Sequence, residues 1–468
     1  MSSYRPELHV TPESGILDAP AGVLLDDKTW HLFHQYRPTP DSPARWAHAV
    51  SESGPFDWEI CDDPLAPAGG ETAIRAGAVV ASGDGLDMYF TSVTAAGTSI
   101  QLAHLDDLGE ECPVSDDEFA VDSRVRRVGD VISNRDDHVR FRSPCVVPDW
   151  ESDDDRHAGH DGWLMLCVTG SGDHPVPVVL TSPDGRAWDF VGELSFVGET
   201  GFDASSITVG PRIIRLRDEV DGHIYDVLLM TLEHDGVDIS GYLVGTLQGA
   251  SFEVKTPFTR IDHGHDFTRP RNTNVTPGTV KAEKRYLQSV IFGLLNGIGR
   301  QDDPTGHLSL TEEGWANCLS LPRVITLQGG LVFQTPPAGL PDAISQSDAA
   351  RSWTGLCAVP SGALTATLID AAGNPAATVT HSGEQLVLDR SMNPHHAGDD
   401  PAVADLAEGD TDSLSIFVDG STVEVFADGG AVTMASRVYI EGGCAEIRVE
   451  TSGEAEIEQY WNRGPGSV

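Results

Sequence analysis

Lysine is nearly missing from this chain: Lys28, Lys255, Lys281 and Lys284 are the only four in 468 residues. Basic residues number 30 against 72 acidic ones, for a net charge of −42. A surface so poor in cations repels phosphate backbones and anionic bilayers, which argues against nucleic-acid and membrane partners. Salt adaptation and a GC-rich genome would each produce this balance. Long apolar runs are lacking too. No stretch approaches the roughly 18 residues of a membrane-crossing helix, and the opening Met1-Ser2-Ser3-Tyr4 has no apolar signal region. The seven cysteines (61, 112, 145, 167, 318, 357, 444) are scattered, odd in number and free of C-x-x-C pairs. That pattern predicts reduced thiols in a cytoplasmic protein. Walker loops, G-x-G-x-x-G, G-x-S-x-G and H-E-x-x-H are all missing, so no cofactor is expected. His263/His265, His395/His396 and the acidic run 149–155 lack the spacing of a metal site, and no metal is expected.

What is present is β structure. At 40% hydrophobic and 22% charged, the chain carries enough apolar residues to fold, and its length admits two or three domains. Glycine (49) and proline (29) cut it into short apolar runs, and no long helical period occurs before residue 325. Val23–Leu25 and Trp30–Tyr36 read as two strands around a turn. So do Ala78–Val80 with Leu86–Val93, and Trp163–Val168 with Val176–Leu180. Trp58-Glu59, Trp188-Asp189 and Phe252-Glu253 mark a weak repeat of about 65 residues, the length of a four-stranded propeller blade with its loops. The prediction is an all-β protein: a five-bladed β-propeller over 1–325, a linker over 326–345, and a β-sandwich over 346–468. In the last part, Leu414–Val418 and Thr422–Ala427 form a hairpin turned at Asp419-Gly420.

This order resembles glycoside hydrolase family 32, the invertases, sucrose-6-phosphate hydrolases, levanases and inulinases. Arg5-Pro-Glu-Leu-His-Val-Thr-Pro12, Trp30-His-Leu-Phe-His-Gln-Tyr-Arg-Pro38 and Trp46-Ala-His-Ala-Val-Ser51 are similar to its early motifs. Asp262-His-Gly-His-Asp-Phe267, Gly314-Trp-Ala-Asn-Cys-Leu-Ser-Leu-Pro-Arg323 and Ile416–Phe426 are similar to its later ones. The resemblance implies a small-carbohydrate partner, a β-fructoside such as sucrose or sucrose 6-phosphate. The oligomeric state is left open.

The resemblance also implies three catalytic carboxylates: a nucleophile, a stabiliser of the sugar hydroxyls and a general acid. The nucleophile's segment is here Asp18-Ala19-Pro20-Ala21-Gly22, so its slot holds Ala19. The stabiliser's segment is Arg142-Ser143-Pro144, so its slot holds Ser143. The acid's slot, placed by Gly210-Pro211-Arg212, holds Val209. A literal Glu111-Cys112-Pro113 stands in the wrong order for the acid motif. Alanine cannot attack and valine cannot donate a proton. Asp18 is a candidate surrogate nucleophile if a bulge re-aims it. Asp203, with Glu199, is a weaker candidate for the acid. Gln35, Trp46, His48 and Arg142 are expected to bind the sugar. Arg142, Arg269 and Arg271 are the candidates for holding a phosphate. Two readings follow: a fructoside hydrolase with displaced carboxylates, or a catalytically silent propeller that binds a fructoside or a protein.

Overall fold

Short runs of β-branched and aromatic residues, each closed by a glycine turn, can bury their apolar faces only by stacking sheet on sheet. The computed structural model is accordingly nearly all strand. It describes residues 4–467 apart from 118, 133, 136, 150–161, 171–173, 204–205, 235–236, 282–283, 298–302 and 408–411.

Up to Thr335 the chain repeats one plan. An inner strand starts a meander whose later strands lie progressively further out. The inner strands are Gly15–Asp26, Glu71–Ser82, Arg142–Pro148, Ile207–Arg217 and Phe267–Val275. Each touches the next, and Phe267–Val275 returns to pair in parallel with Gly15–Asp26 at Val23↔Thr273. Apolar cores sit between consecutive meanders. Trp46, Leu65, Ile74, Met88 and Phe90 fill the first, and Tyr89, Phe141, Met165 and Leu180 the second. Trp30, Leu32, Phe292 and Leu294 fill the one that joins the last meander to the first.

The weak tryptophan repeat has a structural meaning. Trp58 precedes the outer strand Glu59–Leu65, Trp188 precedes the outer strand Asp189–Glu193, and Phe252 opens the outer strand Ser251–Arg260. Each copy marks the last strand of its meander.

The expected linker over 326–345 is corrected by the pairing. Arg323–Gln328 and Leu331–Thr335 form a hairpin on Ser289–Leu295, and Leu340–Gln346 is a short helix. The alternating burial of 323–328 reads as strand, and the prolines that suggested a linker begin only at Pro336. Beyond the helix, two five-stranded sheets pack face to face. Trp353, Leu364, Leu368, Ile416, Val425 and Met434 lie between them. The predicted hairpin is there: Ser413–Asp419 pairs with Thr422–Ala427 around Gly420-Ser421.

A buried ionic network joins the two regions. Arg323 is fully buried and donates to Glu424 from Nε (3.0 Å) and Nη2 (2.8 Å), while Nη2 also lies 2.9 Å from Asp262. Its Nη1 donates to Gln334 and Thr433, both at 3.0 Å. His9 lies between Asp419 (2.8 Å) and Glu424 (3.2 Å). Asp419 also accepts the backbone amides of Glu7 and Leu8, so the start of the chain is tied to the hairpin of the second region.

Truncating one partner strands the rest. Glu424→Leu leaves Arg323 and His9 without their shared carboxylate, and a loss of about 3–5 kcal/mol is expected in urea unfolding. The network also sets a pH window. Burial works to raise the Glu424 pKa, but Arg323 and His9 outweigh it and hold it below the ordinary 4.5. Burial works to lower the His9 pKa, but Asp419 and Glu424 outweigh it and hold it above 6.5. The Glu424 contribution is therefore present above pH 4.5 and lost as pH falls through its folded value. The His9 contribution is present below pH 6.5 and lost as pH rises through its folded value. The melting temperature is expected to fall on both sides of that window, and less steeply in a His9→Gln variant on the alkaline side.

Candidate functional site

All five inner strands carry one extra residue at the same level of the ring. The register against the neighbouring strand slips between Leu17 and Ala19, between Arg75 and Ala78, and between Arg142 and Cys145. It slips again between Val209 and Arg212, and between Thr268 and Arg271. Such bulges turn neighbouring side chains, which would otherwise alternate, toward one space. Ser143 (φ 56°) and Arg269 (φ 52°) take left-handed backbone conformations there, uncommon for residues with a Cβ.

The space they face is a cavity of about 800 Å³. Ala19, Ser143 and Val209 all line it, as do Asp18, Gln35 and Arg142. The bulge at Asp18 lets it share the wall with its neighbour Ala19. Its carboxylate does not stand alone: Arg37 donates from Nε (3.0 Å) and Nη2 (3.0 Å), and Gln35 Nε2 donates at 3.2 Å. Gln35 is itself held, its Oε1 accepting from the Ala76 amide at 2.8 Å.

Arginine dominates the wall. Arg37, Arg75, Arg142, Arg212, Arg269 and Arg271 line the cavity, against the carboxylates of Asp18, Asp41 and Glu233. Arg269 donates to Asp238 at 3.0 Å. Arg142 donates to the Gly170 carbonyl at 2.8 Å; burial lowers its pKa, and the nearby charge of Arg75 lowers it further. Arg212 and Arg271 are buried, and each reaches the neighbouring inner strand. Arg212 Nη1 donates to the Ser143 carbonyl at 3.0 Å, and Arg271 Nε to the Pro20 carbonyl at 3.0 Å. Arg212 Nε and Arg271 Nη1 have no hydrogen-bond partner among the described residues.

Other predicted residues lie elsewhere. Trp46 and His48 are fully buried and do not line the cavity. Trp46 packs behind the wall in one core with Ala19, its Nε1 donating to the Arg75 carbonyl at 3.1 Å. His48 stacks on Phe33 at 4.3 Å between ring centres. Both sit on Arg45–Ser51, the third strand of its meander, too far out to face the ring axis. Asp203 and Glu199 are exposed and also off the cavity. Of the acidic run 149–155, Asp149 lies 3.7 Å from Arg215, and 150–155 fall outside the described residues. His265 bonds Ser436 and His395 bonds Glu441.

Sequence reading missed Glu233 and Arg75. Glu233 sits opposite Ile207, two residues from the Val209 slot, on the neighbouring strand. Its signal is a strand register, which a single sequence does not display.

A second cavity, of about 440 Å³, lies toward the other ends of four of the inner strands, bounded by Leu25, Val147, Ile213 and Val275. Between the two, Asn274 Nδ2 donates to the carbonyls of Val79 (2.8 Å) and Val146 (3.0 Å) and bridges three inner strands.

Comparison with known proteins agrees with this arrangement. The glycosyl hydrolases family 32 N-terminal domain matches residues 9–336, and the family 32 C-terminal domain matches residues 373–462. A sucrose-6-phosphate hydrolase of Escherichia coli is 23% identical over 99% of this chain and 96% of its own length. That of Bacillus subtilis is 24% identical over 97% and 93%. Among solved structures, the sucrose-6-phosphate hydrolase of Lactobacillus gasseri superposes with a TM-score of 0.75 at 17% identity, covering 99% of this chain and 93% of that one. A Bombyx mori GH32 beta-fructofuranosidase mutant in complex with sucrose gives 0.72 at 21%, covering 98% and 93%. The family domains cover both regions in the order in which they fold, and the chain belongs to glycosyl hydrolase family 32.

Proposed function

We propose that this chain is a glycoside hydrolase-type protein directed at β-fructosides of the sucrose or sucrose 6-phosphate kind. In this reading the five meanders up to Thr335 are the blades of a five-bladed propeller, the cavity is its central funnel, and the remainder is a β-sandwich. The observation that carries the reading is the cavity itself, where Ala19, Ser143 and Val209 meet Asp18, Gln35 and Arg142 from four separate inner or adjoining strands. Amide and guanidinium groups suit sugar hydroxyls. A surplus of arginine, in a chain of net charge −42, suits a phosphate on the sugar. The seven free thiols support a cytoplasmic setting, and no described helix is long and apolar enough to cross a membrane.

Hydrolysis breaks the fructosyl C–O bond; water gives its hydroxyl to the sugar carbon and its proton to the leaving oxygen. With Ala19 and Val209 in the usual slots, the carboxylates left on the wall for this work are Asp18, Asp41 and Glu233. We assign Asp18 as nucleophile and Glu233 as acid. Asp18 must first leave the grip of Arg37, so turnover is expected to be slow. A second reading, a silent fructoside-binding protein, is favoured by the replacement of all three family carboxylates.

Purified protein is expected to release fructose from sucrose 6-phosphate faster than from sucrose. Asp18→Asn and Glu233→Gln should each lower that release by about 100-fold or more. Calorimetric binding of sucrose 6-phosphate with no fructose above a mock preparation would replace the first reading by the second. Arg75→Ala is expected to raise KM for sucrose 6-phosphate several-fold and leave that for sucrose unchanged; an equal rise for both would show that Arg75 does not read the phosphate. Ala19→Asp, Ser143→Asp and Val209→Glu combined should raise fructose release above the parent, which checks the three slot assignments directly.

A further inference from the structure

The cysteine pattern offers no ligand motif, yet the fold brings two cysteines and a histidine together. His48, on Arg45–Ser51, is the direct cross-strand partner of Cys61, on Glu59–Leu65, so both side chains leave the same face of the sheet. Cys112 comes from the loop between Gly97–Leu105 and Val125–Asp130, in the next meander. That loop is pinned over the pair. The Asp62 amide donates to the Pro113 carbonyl at 2.8 Å, and Asp62 accepts from the amide (2.8 Å) and hydroxyl (2.7 Å) of Ser115. His48 Nδ1, Cys61 Sγ and Cys112 Sγ all lie within 4.8 Å of one another, and Cys112 Sγ is 3.9 Å from His48 Nδ1.

We propose that His48, Cys61 and Cys112 form a three-ligand zinc site that straps the Cys112 loop to the first meander. Tetrahedral zinc with Zn–S of about 2.3 Å and Zn–N of about 2.0 Å places neighbouring donors roughly 3.5–3.8 Å apart. The observed spacing needs only a small contraction to meet this. The histidine is set for the role. Its Nε2 lies 3.2 Å from His31 Nδ1, and its ring is clamped flat on Phe33. Donation of an Nε2–H from His48 to His31 Nδ1 selects one tautomer of His48. That tautomer leaves a lone pair on Nδ1, the atom that faces the sulfurs. Once deprotonated by metal binding, the two cysteine sulfurs form with the imidazole a soft donor set, which suits zinc over magnesium or calcium.

The site is independent of the sugar cavity, so its test does not turn on hydrolysis. The full chain, purified with reductant and then chelator, is titrated with Co²⁺ and with Zn²⁺. One equivalent of Co²⁺ is expected to give a thiolate-to-cobalt charge-transfer band and tetrahedral visible bands that Zn²⁺ abolishes. Zinc should raise the melting temperature of the parent but not of Cys112→Ser. Cys112→Ser lies in a half-buried loop, and circular dichroism checks that it folds. Cys444→Ser should bind as the parent does, and His31→Ala should bind zinc roughly 10–100-fold more weakly. An absent cobalt band in folded parent protein would overturn the proposal. So would bands that survive in Cys112→Ser, or a mapped Cys61–Cys112 disulfide whose reduction yields no metal uptake.

Discussion

An inner strand has one edge in its own meander and one edge facing its neighbours in the ring. Among the described inner strands, only the first and last join by parallel pairing; the other contacts between them are made without a ladder. Buried backbone groups on those free edges must still be satisfied. Side chains do this. Arg271 reaches the Pro20 carbonyl, Arg212 the Ser143 carbonyl, and Asn274 the carbonyls of Val79 and Val146, while the Ser143 amide donates to Thr91. Each brace ties one meander to another. The bulges follow from the same need, because they open room at one level for such long polar side chains to cross.

The braces explain why the charge of the interior opposes that of the exterior. A carbonyl facing the ring is answered by a donor, and arginine offers five donors in a rigid fork that stays charged when buried. Arg212 and Arg271 therefore carry positive charge to the ring axis as a consequence of closing it. Lysine, a flexible point charge, would serve this geometry poorly, and none lines the cavity. The four lysines of the chain all lie elsewhere, and Lys255, for one, pairs with Asp221 near the surface.

Much of this was legible in the sequence. The hairpin at 413–427 followed from its glycine turn, whereas two inner strands start at Gly15 and Glu71, well before the apolar runs Val23–Leu25 and Ala78–Val80 that marked them. Ala19, Ser143 and Val209, singled out from their flanking motifs, line one cavity, with a bulge before Ala19, a left-handed Ser143 and a positive-φ Gly210. What failed depended on which strand faces the axis. Trp46 and His48 stand beside Gln35 and Phe33 across one strand pair, yet a sheet one strand further out turns the same parity into core. Glu233, and the meeting of Cys112 with Cys61 across a loop, depend on contacts between segments far apart in sequence. The proline-rich stretch misplaced the linker because two strands precede it without a break.

The proposed exchange of carboxylates at positions 19, 143 and 209 can be set against the charges that remain. A nucleophile, a stabiliser and an acid at positions 19, 143 and 209 would add three carboxylates to a wall of six arginines, beside Asp18, Asp41 and Glu233. With alanine, serine and valine there, six arginines line the wall with three carboxylates, and one of the six, Arg269, is paired with Asp238. One of those anions is consumed by Arg37. The braces cannot shed their charge, since Arg212 and Arg271 hold the ring together. Arg212 is buried, and burial disfavours its cationic form and lowers its pKa. An anionic group on the ligand would supply the compensation that the slots no longer give. On the proposed reading of positions 19, 143 and 209, this cavity suits a ligand that brings its own negative charge.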